Sequence, residues 1–156
     1  MEASSFIKEV RKVDDHQIED IERSLRRVSE IVKQKGREIL TQFPITPPQF
    51  IALQWLNEYG DMTIGELSQK IYLACSTTTD LIDRMEKNQL VERVKDTQDR
   101  RVVRIHLLER GRVIIKEVIK KRQDYLEAVL SQFTQDEVDF LEKSLDVLHE
   151  KMKESR

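Results

Sequence analysis

The chain has 156 residues, with 27 lysines and arginines against 29 aspartates and glutamates, for a formal net charge of -2. That length suits one domain, or one compact module with helical extensions; a charged share of 36% beside four glycines and 6% aromatic residues argues for a mainly helical protein and against a sandwich or barrel. A single cysteine, Cys75, rules out an intrachain disulfide and fits a reducing compartment.

The N-terminal stretch MEASSFIKEVRKVDD is broken by charges, and no later apolar run approaches the length of a membrane span, so a cytoplasmic protein without membrane contact is expected. From Ile18 onward, Ile18, Ile21, Leu25, Val28, Val32 and Ile39 fall on a heptad seam interrupted only by Lys35. The spacing predicts a long amphipathic helix ending near Phe43 and Pro44, and a seam so narrow suits docking on a second subunit. Thr46, Pro47, Pro48 and Gln49 then form a helix start, with a threonine cap, proline at the first helical position and glutamine three residues after the cap. The helix that follows carries Phe50, Leu53, Trp55 and Leu56 and stops at Gly60. A second capping box at Thr63 and Glu66 opens a short helix, Tyr72 to Cys75 form a turn, and a further helix begins at Ser76. Helix, tight turn and helix make a helix-turn-helix.

In that last helix Thr78, Leu81, Ile82 and Met85 share one side, which leaves Ser76, Thr77, Thr79, Asp80, Asp83 and Arg84 facing outward. Beyond it the period changes to two: Val103, Ile105 and Leu107 alternate along a strand for which Leu90 to Lys95 is the antiparallel partner. The turn between them runs from Asp96 to Arg101. A second long helix is expected from Leu108 to Phe133, a third capping box at Thr134 and Glu137, and a last helix with Leu141, Leu145, Leu148 and Met152 on another heptad seam. The expected fold is thus mainly α with a small β-hairpin wing, a winged helix-turn-helix flanked by helices. Those flanking helices suggest dimerisation through Ile18, Ile21, Leu25, Val28, Leu141, Leu145 and Leu148.

Net charge argues weakly against nucleic acid, but its distribution argues for it. Arg93, Lys95, Arg100, Arg101 and Arg104 crowd the hairpin against Asp96 and Asp99, while acids gather toward both chain ends. A hydroxyl-faced helix beside an arginine-tipped hairpin can set hydroxyls against base edges in a major groove and guanidinium groups in the adjoining minor groove of double-stranded DNA.

From Ile45 to Gly111 the sequence resembles the MarR family of winged helix-turn-helix regulators, in the segments TPPQFIAL, TIGELSQKI, STTTDLIDRMEKNQLVER and DTQDRRVVRIHLLERG, and the flanking helices follow the family's order. The resemblance implies a homodimer with dimerisation regions at residues 1–45 and 109–156, a DNA-binding lobe at 46–108, and repression or activation of transcription at a pseudo-palindromic operator, with repression the favoured sign. It further implies Ser76, Thr77 and Thr79 at the start of the recognition helix, Arg84 on phosphates, Asp99 holding Arg101, Arg100 or Arg101 in the minor groove, and Arg104 on the same surface. A small aromatic or apolar effector is implied too, for which Phe43, Phe50, Trp55 and Tyr125 could line a pocket or could be ordinary core.

Three positions depart from the family pattern. Gln89 stands where glycine is common, and Asn88 is the expected remedy because asparagine tolerates a left-handed backbone. Leu108 replaces a capping threonine. Asp80 replaces a basic or neutral residue; it either accepts from a cytosine amino group or braces Arg84 four residues on, and the brace is the favoured reading. Cys75 is read as a small, partly buried residue rather than a redox switch. His16, His106 and His149 are scattered, so no metal site is expected, although Asp15, His16 and His149 could meet at an interface. No glycine-rich phosphate loop or nucleophile elbow occurs, and neither an enzyme nor a cofactor is expected. The competing class is a winged-helix module that binds protein, motivated by Asp80 and the negative net charge.

Overall fold

The computed structural model describes residues 13–155, so most of the N-terminal stretch read for a leader lies outside the described residues. In chain order the elements are α1 (Asp15–Leu40), α2 (Pro47–Tyr59), β1 (Met62–Thr63), α3 (Ile64–Ile71), α4 (Cys75–Lys87), β2 (Val91–Lys95), β3 (Val103–Leu107), α5 (Glu109–Leu130) and α6 (Gln135–Glu154). No described helix is long and apolar enough to cross a membrane.

The chain divides into two units at Gly36. In the first, α1 presents its apolar stripe uncovered: Ile18, Ile21, Leu25 and Val28 retain 50%, 54%, 37% and 57% of their exposure, and Ile31 broadens the stripe beyond the heptad positions. The helix stops at Leu40, short of Pro44, where Thr41 donates its hydroxyl to the Glu38 carbonyl at 2.6 Å.

The second unit, from Arg37 onward, holds the core. Phe50, Leu53, Leu67, Ile82, Met85, Leu90, Val91, Ile105, Leu107 and Val118 are buried, so one face of each of α2, α3, α4 and α5 closes over the inner face of the sheet. Full burial of one such side chain stabilises by about 1.5–3 kcal/mol. All three capping boxes form: Thr46 with Gln49, Thr63 with Glu66, and Thr134 with Glu137. Leu108 caps α5 without a side-chain bond, as expected, while its own N–H donates to the Leu90 carbonyl at 3.0 Å. Past Val118, α5 carries no buried residue, nor does α6; Leu126, Phe133, Phe140 and Leu145 are exposed, and Leu141 and Leu148 only half-buried.

The hairpin gains a third strand that periodicity did not reveal. The antiparallel order is β1-β3-β2, with Met62 opposite Ile105 and Thr63 opposite Arg104 on one side, and Val91 opposite Leu107 through Lys95 opposite Val103 on the other. Two residues are too few for an alternation to register, and Thr63 is at once strand residue and helix cap.

Among the described residues, two other than glycine have left-handed backbones, Tyr72 at φ 56° in the turn between α3 and α4, and Gln89 at φ 59° after α4. The expected remedy at Asn88 is not used: Asn88 keeps φ -86°, and Gln89 itself bears the left-handed geometry. Its N–H reaches the Glu86 carbonyl, and that of Leu90 reaches Met85, so the turn must reverse at Gln89 to feed β2. Such a backbone costs roughly 1 kcal/mol in an L-residue. Gln89→Gly is therefore expected to raise the unfolding free energy by up to about 1 kcal/mol, read as a higher urea midpoint at unchanged slope. A lowered midpoint would show that the exposed Gln89 side chain contributes more than its backbone costs.

Candidate nucleic-acid interface

The reading face of α4 follows from its burial pattern. Thr78, Ile82 and Met85 are fully buried, which turns Ser76, Thr77, Asp80, Asp83, Arg84 and Lys87 to the outside. Thr78 donates its hydroxyl to the Ala74 carbonyl, and Thr79 to the Cys75 carbonyl at 2.9 Å. Thr79 is half-buried, so the hydroxyls fully turned outward are those of Ser76 and Thr77. The helix starts one residue earlier than expected, with Cys75 at its first position and exposed, not partly buried; its Sγ lies 3.4 Å from the Ser68 Oγ.

The favoured brace between Asp80 and Arg84 does not form among the described residues; acid-first spacing permits that pair without requiring it. A different clasp is present, which the sequence reading missed. Arg93, on β2, donates one guanidinium nitrogen to Glu86 at 3.0 Å and another to Asp83, while its backbone N–H donates to the second Glu86 oxygen at 2.9 Å. Burial lowers the Arg93 pKa, and the two carboxylates more than reverse that, leaving it above its ordinary value. The wing is thereby pinned to the recognition helix. Its only sequence signal is three charges seven and ten positions apart, which no local periodicity singles out.

At the wing tip the Asp96 N–H donates to the Val102 carbonyl and closes the turn, and the Val102 N–H donates to the Asp99 carbonyl. Asp99 holds Arg101 as expected, accepting from its backbone N–H, Nε and one terminal nitrogen, each at 3.1 Å. Those bonds from the Arg101 side chain, then from its backbone, hold the Asp99 carboxyl below its ordinary range. The clasp is intact at neutral pH and opens only as pH falls through that lowered pKa. Arg101 nonetheless remains 91% exposed, with Arg100 exposed beside it. Arg104 stands apart from the tip: it is half-buried on β3, 3.7 Å from Glu66 and 3.8 Å from Asp96, where it ties the wing to α3.

The four aromatic residues considered for a pocket do not converge. Phe50 is core, with the Arg122 guanidinium stacked 4.9 Å from its ring, and Trp55 stacks on Tyr59 beneath Lys70. Only Phe43 borders the open groove along α5, with Val113, Ile119, Arg112, Lys116 and Lys120. His106 Nδ1 lies 2.8 Å from Asp61, and no group of three histidine, cysteine or acidic side chains with metal-ligand spacing occurs among the described residues.

Comparison with known proteins agrees with this geometry. The MarR family model matches residues 45–103. The HTH-type transcriptional regulator YsmB of Bacillus subtilis is 67% identical over 136 residues, covering 87% of this chain and 93% of that protein. The HTH-type transcriptional repressor MdtR of the same organism is 28% identical, covering 81% and 82%. The structure of a MarR family protein from Bacillus stearothermophilus superposes with a TM-score of 0.83 at 55% identity, covering 91% of this chain and 99% of that one. The chain belongs to the MarR family of winged-helix transcriptional regulators, a family without enzymatic activity.

Proposed function

We propose that the protein is a homodimeric, sequence-specific DNA-binding repressor of a pseudo-palindromic operator. The observation that carries this is the pairing of an exposed, hydroxyl-bearing face on α4 with a wing whose Arg101 is held outward by Asp99. In this reading Ser76, Thr77 and Asp80 meet base edges, Arg84 meets phosphates, and Arg100 and Arg101 enter the minor groove. Arg104 and Arg93 set the wing's position from behind. The uncovered stripe of α1 and the exposed apolar residues of α5 and α6 support a dimer region at residues 1–45 and 109–156, with 46–108 as the reading lobe. Two-fold symmetry then places the half-sites about one helical turn, ~34–36 Å, apart. A relative named as a repressor supports the sign of regulation. The groove bordered by Phe43, Val113 and Ile119 supports release by a small apolar or aromatic effector.

The test is a salt titration of duplex binding. Neutralising six phosphates gives a log-log slope of roughly -5, and Arg101→Ala is expected to weaken binding by about 1–3 kcal/mol and shorten that slope by about 1. Absence of salt-sensitive duplex binding would transfer the reading to a protein-binding module.

A further inference from the structure

The acids of the reading surface are not alike. On α4, Asp83 and Glu86 are both engaged by Arg93. At the wing tip, Asp99 is clasped by Arg101, and Asp96 lies 3.8 Å from Arg104. Asp80 alone of these has no cation within ion-pair distance among the described residues, although Arg84 is one turn away. It is fully turned outward, and helical spacing sets it one turn after Ser76 and one turn before Arg84, in the middle of the exposed stripe. The neighbouring Thr79 hydroxyl already donates to the Cys75 carbonyl and supplies no proton to it.

A bare carboxylate at that place opposes binding to a polyanion unless the duplex offers it a donor. An ionised aspartate only accepts. In the major groove guanine and thymine present acceptors to it, and adenine sets its amino donor beside the N7 acceptor; cytosine presents its N4 amino group with no acceptor of its own alongside. Resting on the DNA-binding reading above, we infer that Asp80 is a specificity-determining residue that accepts a hydrogen bond from the N4 amino group of one cytosine in each half-site.

The experiment is selection from random duplex DNA by the full-length protein and by Asp80→Ala and Asp80→Asn, followed by affinity measurements on the selected duplex and on one with the assigned cytosine pair exchanged. The native protein is expected to select a cytosine at one fixed position per half-site and to discriminate there by about fivefold or more. Asp80→Ala loses that discrimination, and Asp80→Asn, which offers a donor and an acceptor together, moves the preference toward adenine. If both variants keep the native consensus and merely bind every duplex more tightly, Asp80 is a repulsive charge and the inference is overturned. If the native protein itself selects no sequence, the DNA-binding reading falls first, a result visible before any substitution is made.

Discussion

Leu25→Asn combined with Val28→Asn is expected to convert the proposed dimer into monomers and to remove most of the proposed operator affinity, because each lobe would then meet its half-site alone. Symmetry makes the change count twice. Four apolar side chains would leave the proposed interface, each worth about 1.5–3 kcal/mol if fully covered, and four carboxamides would replace them that bury poorly. In α1 both residues are exposed and neither belongs to the core cluster, so the lobe itself should keep its fold. Sedimentation equilibrium reads the mass directly. A stable dimer in the double variant would show that the stripe of α1 is not the contact between subunits.

Gly111→Ala is expected to destabilise the lobe by about 1–3 kcal/mol, as overpacking of a filled core does. A Cβ there would stand 2.7 Å from the Leu90 carbonyl oxygen, 2.7 Å from Leu107 Cδ1 and 3.2 Å from Leu53 Cδ2. The leucine tips could swing, but the carbonyl is backbone and already accepts from Leu108 at 3.0 Å. Relief therefore requires moving the start of α5 away from the wing. Thermal and urea unfolding measure the loss; a change below a few tenths of a kcal/mol would mean that the helix start shifts without resistance.

What the sequence disclosed was mostly local. The capping boxes at Thr46, Thr63 and Thr134 were readable because both partners lie within four residues, and the wing was readable because alternation from Val103 to Leu107 marks an inner and an outer face. The Asp99 hold on Arg101 was legible only through family likeness. Contacts across elements were not legible. Nothing near Arg93 announces that its partners are Asp83 and Glu86, and nothing in Met62 announces a strand, since its pairing with Ile105 crosses 42 residues of intervening chain. Arg104 was read with the DNA-facing arginines of the hairpin, and local pattern does not disclose that the fold brings Glu66 of the neighbouring helix within 3.7 Å of it. Asn88 misled for a related reason: composition says which residue tolerates a left-handed backbone, while the direction of β2 decides which residue must adopt it.

The Arg93 clasp bears on how such a molecule could be switched. With β2 pinned to α4 by two carboxylates, and β3 tied to β1 at the entrance of α3, helix and ribbon are cross-linked into one jaw. In the proposed dimer, what would remain adjustable is the gap between two such jaws. Control would then work as callipers do, by opening or closing a span while the shape of each tip stays constant.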